Sequence, residues 1–373
     1  MLNLYIAPRN YVTGYDIMEK IGEHVKKIAK SLLVVSDVTV YSLMKEAFIS
    51  FDKNGIKYTK EYFNGECSHS EIERLKFLIE EGKYDAVVGF GGGKIMDTVK
   101  AAGYKAKVKI ITVPTNAATC AAWSSHSAVY TDDGIAYEYF DIYKNADLLF
   151  MDKKVVAEAP VRYIVAGIAD TLAKWVETEV SSRDIKNKNI EIEIAVYLAK
   201  KCYDDCMNYG RKAVTDIKNG QYSDEVDKIL ESIIITAGLV GGIGGESCRS
   251  VAAHAVNNGF TVLPKLYAKN LHGEVVGFGN IVQMVLDKKS DEEIESLIKF
   301  YISTGVPCSL EEFGYDKITN EQLDKIANRS IFSGDTMGNL PYTVTHAMVK
   351  DAIREADSIV GKMKKRVAAF RMF

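Results

Sequence analysis

An α/β domain built on a parallel sheet over residues 1–160, followed by an all-α domain over residues 161–373, is the architecture this sequence predicts. Short β-branched runs alternate with amphipathic stretches over the first 150 residues, the pattern of parallel strands and their covering helices. Beyond Pro160 the period changes, and apolar residues recur at helical spacing for most of the remaining chain. A length of 373 residues, 47% of them apolar and 26% charged, is ample for two domains with their own cores. A cleft between two such domains is the usual meeting place of cofactor and substrate.

In chain order, the apolar LYIAP at residues 4–8 reads as strand-like. Ser31–Ser36 (SLLVVS), Lys57–Tyr62, Ala86–Phe90 (AVVGF), Ile110–Val113 and Leu148–Met151 follow as strands, mostly continuous apolar runs of the kind a doubly covered sheet requires. Tyr15–Ala29, Tyr41–Asn54, Ser70–Glu80 and Lys94–Ala102 carry the helical period between them. Tyr137–Tyr143 is a more exposed strand after the turn at Asp132-Asp133-Gly134. The second half predicts helices at Arg162–Arg183, Lys188–Arg211, Asp224–Val240, Ser247–Gly259, Glu274–Leu286, Asp291–Thr304, Asn320–Ile331 and Val344–Met363.

Composition excludes several function classes. With 47 basic and 50 acidic side chains the net charge is −3, so nothing supplies the many phosphate contacts that nucleic acid or an acidic membrane surface demands. A small-molecule partner is expected instead. Cysteines 67, 120, 202, 206, 248 and 308 form no CxxC pair, as befits reduced thiols in the cytoplasm. Met1-Leu2-Asn3 opens without the features of a signal peptide, and no apolar run reaches the roughly 18 residues of a membrane span.

Three N-terminal segments carry chemistry. In AVVGFGGGKIMDTVKAA, residues 86–102, a buried strand empties into three glycines and a helix, so backbone N–H groups and a helix dipole point at one place, as for a phosphate. It matches neither GxGxxG nor a P-loop, and a Gly-rich turn without ligand is the alternative. Lys94 either neutralises a phosphate or begins a solvated helix face. Asp37, at the end of the second strand, is placed to bind ribose hydroxyls and repel a 2′-phosphate, which favours NAD over NADP; helix capping is its other reading. In ITVPTNAATCAAW, residues 111–123, small residues let a ring or phosphate approach the backbone, with Thr115 and Thr119 as hydrogen-bonding hydroxyls. Cys120 reads either as a reactive thiol or as a small packed side chain.

Three strings stand out in the helical half, against only six histidines in the chain. They are GIADTLAKWVE with Asp170, AAHAVNNGF with His254, and LHGEVVGFG with His272. Two imidazoles and a carboxylate at helix margins make an N,N,O metal site with open positions, although their separations match no local zinc motif. Histidines satisfied within a core are the alternative. His24, His69 and His346 lie in polar, helical surroundings.

In that order GFGGGKIMDTVKAA, VPTNAATCAAW, GIADTLAKWVE, AAHAVNNG and LHGEVVGFG resemble the metal-dependent, so-called iron-containing alcohol dehydrogenases, in particular their glycerol-dehydrogenase-like branch. The likeness covers essentially the whole chain. It implies a Rossmann-like N-terminal domain and a helical C-terminal domain, the fold shared with dehydroquinate synthase, with NAD or NADP bound on the GGGK turn. It also implies one divalent metal, zinc foremost and iron as an alternative, on Asp170, His254 and His272, the group that serves catalysis. Gly92, Gly93, Lys94 and Asp97 would lie against the cofactor phosphates and nicotinamide side, and Asp37 against the ribose. Thr115, Ser124 and Tyr130 would line the cofactor further along, with His126 where the family usually has an apolar residue. Homo-oligomers are common in the family.

One departure bears on the substrate, expected to be a small alcohol or carbonyl compound. Glycerol dehydrogenases carry Ser-Thr-Asp-Ala-Pro, whereas this chain reads Ala118-Thr119-Cys120-Ala121-Ala122, which removes an acceptor for a polyol and a repulsion against an anion. AATCAAW and Arg249, five residues before His254, resemble a hydroxycarboxylate dehydrogenase subgroup, and a guanidinium suits a carboxylate. The expectation is therefore a 2-hydroxy acid/2-oxo acid substrate, with glycerol/dihydroxyacetone as the alternative. A dehydroquinate-synthase-type lyase and a non-catalytic nucleotide or metal sensor are the remaining rivals; Asp170 and the small-residue segment 117–122 speak against the lyase.

Overall fold

Residues 4–267, 269–315 and 317–370 are described by the computed structural model. By internal contacts the chain divides after Val161 into two compact units.

Among the described residues the first unit is organised by eight strands: β1 (Tyr11–Gly14), β2 (Ser31–Ser36), β3 (Lys57–Tyr62), β4 (Ala86–Gly91), β5 (Lys109–Pro114), β6 (His126–Tyr130), β7 (Ala136–Asp141) and β8 (Leu148–Asp152). Six form one sheet in the order β1-β8-β5-β4-β2-β3, with every pairing parallel. β4 and β8 are buried throughout, as the apolar runs Ala86–Gly91 and Leu148–Met151 require, with Asp152 closing β8. β3, KYTKEY, is largely exposed; its lysines and glutamate blunt the open edge of the sheet. Phe48, Phe51, Phe90 and Phe150 pack between the sheet and its helices. β6 and β7 form a separate antiparallel hairpin.

The chain leaves β2 towards β3 on one side and then returns to β4 on the other. That makes the carboxyl ends of β2 and β4 a topological switch point, the place where open parallel sheets bind ligands. The Ser36 hydroxyl donates to the carbonyl of Phe90 at 2.7 Å and joins the two ends.

Two N-terminal expectations fail for identifiable reasons. The run at residues 4–8 forms no strand, because Pro8 has no N–H to donate and the ladder with β8 begins only at Tyr11, opposite Leu149. Instead of a helix over Tyr15–Ala29 there is a 3-10 turn, Met18–Lys20, and a short helix, Ile21–Val25. Asp16 sits at φ 53°, and the N–H groups of Asp16, Ile17 and Met18 donate to the Asp152 carboxylate at 3.2, 2.8 and 2.9 Å, so a helix cannot start there.

The second unit is helical, its longest members being Val161–Arg183, Ile190–Lys218, His272–Leu286, Asp291–Thr304 and His346–Phe370. The period expected over Asp224–Val240 is broken by a π turn, Ser232–Thr236, in which the N–H of Ala237 bonds back to Ser232. Among the described residues no helix is long and apolar enough to cross a membrane.

Candidate functional site

In the first unit, β4 passes through Gly91 and Gly92 into the helix Gly93–Lys105, and no side chain caps that helix. Its first N–H groups are therefore available to an anion rather than to a neighbouring side chain. The 115–121 segment packs closely over the glycines. A Cβ on Gly92 would stand 2.9 Å from Asn116 Nδ2, and one on Gly93 would stand 3.1 Å from Thr119 Oγ1. The N–H of Thr115 donates to the Gly91 carbonyl at 3.0 Å. The glycine turn and the 115–121 segment, separate in sequence, thus form one surface at the carboxyl ends of β4 and β5.

Asp37, next to this surface at the end of β2, caps the helix Val38–Leu43 through an Oδ1 that accepts the Val40 N–H at 2.8 Å. The capping reading of Asp37 therefore holds, and one oxygen is committed to it. Lys94 pairs with Glu66 at 2.6 Å and is half exposed. Its ammonium also lies 5.9 Å from the ring centroid of Tyr130. Tyr130 is buried, and its N–H donates to Cys67 O at 2.8 Å. Cys120 is half-buried at the start of a turn that its carbonyl closes with Trp123 and Ser124.

Lys100 was not singled out by the sequence, yet its side chain is 1% exposed and ties several expected residues together. Its ammonium reaches Asp97 Oδ1 at 2.9 Å, Ser124 Oγ at 2.9 Å, Ser124 O at 3.1 Å and His126 O at 2.6 Å. Asp97 Oδ2 in turn accepts the Ala128 N–H at 3.3 Å. The helix that starts at the glycine turn is thereby locked to the 124–128 segment. An Asp–Lys pair at i,i+3 within the mostly apolar helical stretch Ile95–Gly103 was the available signal, and the structure buries that whole stretch.

In the second unit, Asp170, His254 and His272 come from three different helices: Val161–Arg183, Ala252–Phe260 and His272–Leu286. Each offers one donor atom, and the three atoms lie within 4.8 Å of one another. His254 Nε2 is 3.3 Å and His272 Nε2 is 3.6 Å from Asp170 Oδ1. Glycines permit the convergence. A Cβ on Gly273 would fall 2.1 Å from Ala166 O, and one on Gly279 would fall 2.4 Å from Ala253 O, so the His272 helix touches both partners backbone to backbone. Arg162 grips Glu274 with two bonds of 2.6 Å, and Glu274 accepts the Leu271 N–H at 2.8 Å, fixing the start of that helix.

The electrostatics favour a cation. Asp170 Oδ1 is buried and accepts no hydrogen bond of acceptable geometry. Burial alone would raise the Asp170 carboxyl, but the positive charge of Lys174 and the facing imidazoles hold it well below the usual carboxylate range. Burial alone would lower His254; the Glu177 charge and the contacts with Asp170 and Glu177 outweigh it and push the imidazole up to about 9. Anionic oxygen and imidazole nitrogen aimed at a shared buried point fit a divalent ion. His272 is a quarter exposed, and its Nδ1 lies 3.2 Å from Asn257 Nδ2 and 3.3 Å from the Tyr267 hydroxyl. Arg249 follows the 3-10 turn Gly245–Cys248, three residues before the start of the His254 helix, and is partly buried.

The profile of the family described as iron-containing alcohol dehydrogenase matches residues 8–153. The chain is 36% identical over 361 residues to a glycerol dehydrogenase of Citrobacter freundii, covering 96% of this chain and 98% of the relative. It is 33% identical over 360 residues to hydroxycarboxylate dehydrogenase A of Escherichia coli K12, again covering 96% and 98%. The crystal structure of a glycerol dehydrogenase from Schizosaccharomyces pombe superposes with a TM-score of 0.89 at 29% identity, covering 98% of this chain and 93% of that one.

Proposed function

The chain belongs to the iron-containing alcohol dehydrogenase family, as an oxidoreductase acting on CH–OH groups, and from that premise we propose that it interconverts a small polyol and its carbonyl form, with glycerol and dihydroxyacetone as the representative pair. The 36% identity to glycerol dehydrogenases from two bacteria supports the polyol more strongly than the 2-hydroxy acid expected from the sequence. The observation that carries the chemistry is the convergence of Asp170, His254 and His272.

In this reading those three side chains hold a divalent ion, zinc foremost. Such an ion, when bound, polarises a substrate oxygen and lowers the pKa of a hydroxyl group. The Gly92–Gly93 turn receives the dinucleotide pyrophosphate on backbone N–H groups, and Asp37 meets the adenosine ribose with its second oxygen, which selects NAD over NADP. Asp97, Thr115, Ser124, His126 and Tyr130 line the rest of the cofactor path, with Lys100 keeping Asp97 and Ser124 in place. Lys94 leaves Glu66 to meet a phosphate. A bound nicotinamide would supply the acceptor for the carbinol hydrogen together with its C–H electron pair, while the hydroxyl proton would be released to solvent. Bringing the two bound molecules to reacting distance supplies roughly 7–11 kcal/mol of the barrier.

A second reading, the 2-hydroxy acid, keeps one specific support: the Ala118–Ala122 segment contains Cys120 and no carboxylate, and Arg249 offers a guanidinium for an anion. Absorbance at 340 nm on zinc-loaded protein, crossing NADH and NADPH with dihydroxyacetone, 2-oxobutanoate and 2-oxoglutarate, separates the readings. Turnover of dihydroxyacetone with NADH supports the polyol. Exclusive turnover of an oxo acid overturns it in favour of the second reading, and no turnover with any pair removes both. His254→Ala is expected to abolish turnover while dinucleotide affinity stays within about threefold; turnover that survives would sink the metal scheme.

A further inference from the structure

We infer that Glu177 is a positioning residue for the ion site: it holds Nδ1 of His254 as the nitrogen that keeps its proton, which leaves Nε2, the nitrogen facing Asp170, as the one that gives its lone pair to a bound ion. The inference rests on the metal reading proposed above. Glu177 follows Asp170 by seven residues on the helix Val161–Arg183, and its side chain is 1% exposed. Its Oε2 lies 2.7 Å from His254 Nδ1, while its Oε1 accepts the N–H groups of Val251 at 2.7 Å and His254 at 3.0 Å.

Those two N–H groups belong to the first turn of Ala252–Phe260, where no residue of the helix itself provides a side-chain cap. A buried helix start needs such acceptors, and an anion there also meets the positive end of the dipole. The Ala253 N–H is taken by Gln283 Oε1 at 2.9 Å, while Gln283 Nε2 donates to Val176 O at 2.7 Å. Both capping groups come from the helices that carry the other two candidate ligands. Glu177 differs from Gln283 in one respect: it also holds the imidazole.

Three donors fall on two oxygens, and only a carboxylate accepts on both. A glutamine of the same shape presents one oxygen and one NH₂. If the NH₂ faces Nδ1, the imidazole must carry its proton on Nε2, the nitrogen that faces Asp170; if it faces the backbone, two N–H groups lose their acceptor. Partners that orient a ligating histidine in this way change metal affinity by roughly 10–100-fold when removed.

The test is zinc affinity of the metal-free protein, measured by competition with a chromophoric chelator, for the wild type, Glu177→Gln, Gln283→Met and Asp170→Asn, with thermal unfolding recorded alongside. Glu177→Gln is expected to bind zinc roughly 10–100-fold more weakly, whereas Gln283→Met, which uncaps the same helix without touching the ring, stays within about threefold. Equal losses in both variants, or none in Glu177→Gln, overturn the inference. A wild type that binds no zinc, or an Asp170→Asn that binds like it, instead removes the metal reading beneath it. Should Glu177→Gln not fold, the nitrogen-15 spectrum of histidine-labelled, zinc-loaded wild type decides. A protonated Nδ1 on His254 supports the inference, and a protonated Nε2 overturns it.

Discussion

Gly273→Ala tests how the three helices reach the shared point. The added Cβ would sit 2.1 Å from the carbonyl oxygen of Ala166, against the roughly 3.3 Å of a close C···O approach. The obstacle is backbone, so the His272 helix must retreat by about 1 Å rather than a side chain turning away. Overpacking of this kind costs about 1–3 kcal/mol. At roughly 2–4 °C per kcal/mol for a unit of this size, the melting temperature falls by about 2–12 °C. Metal sites tolerate only about 0.2 Å in donor distance, so zinc affinity is expected to fall at least tenfold as well. Differential scanning calorimetry and chelator competition read the two effects. Gly361→Ala serves as control: nothing lies within 4 Å of its Cβ, and alanine in a helix is worth about 0.5–1 kcal/mol more than glycine. A Gly273→Ala protein that melts and binds zinc like the wild type would refute the backbone-contact argument.

Three further outcomes are expected. Lys100→Met leaves the Asp97 carboxylate buried beside no ammonium, at a cost of about 3–5 kcal/mol, and loosens the 124–128 segment. Urea unfolding should show the loss and NADH fluorescence a weaker dinucleotide complex; unchanged values in both would remove Lys100 from the cofactor path. Chelation of the ion should lower the melting temperature by roughly 5–10 °C relative to protein at one hundred times Kd in free zinc, the equivalent of about 2.7 kcal/mol. No shift would mean that the folded state binds zinc no better than the unfolded chain. For Asp147, burial alone would raise the carboxyl, but Lys144, the Ile110 N–H and Lys109 hold it below its ordinary 3.8. Its contribution is therefore complete above that value and lost as pH falls through the lower folded value. Asp147→Asn should be less stable at pH 6 and converge on the wild type below pH 4, and unfolding curves that stay parallel over that range would count against it.

Strands at the centre of the sheet were legible because their burial on both faces leaves a continuous apolar run, and Ser31–Ser36 matches to the residue; the exposed edge strand Lys57–Tyr62 also matches, although it has no such run. β6, HSAVY, was not, since a short half-buried hairpin strand carries little periodicity. The helix expected at Tyr15 was lost to Asp152, a partner 135 residues away from Ile17 in the sequence that no local window contains. Asp170, His254 and His272 were singled out by residue type and family likeness as a candidate group, while their convergence depends on Gly273 and Gly279, whose close backbone contacts only the helix crossings reveal. Glu177 and Lys100 escaped notice because charged residues in a helix read as solvated until burial is known; two turns separate Glu177 from Asp170, and that shared face was the clue.

The pairing of β1 with β8 has a bearing on biosynthesis. Tyr11 leaves the ribosome first among the strands, yet its ladder partner, Leu149, emerges only near the end of the unit. At about 5–20 residues per second that interval lasts several seconds or longer, during which the exposed backbone of β8's eventual docking edge on β5 stays open. A nascent chain arrested before Asp152 lacks the carboxylate that gathers Asp16, Ile17 and Met18, and so cannot close its own beginning.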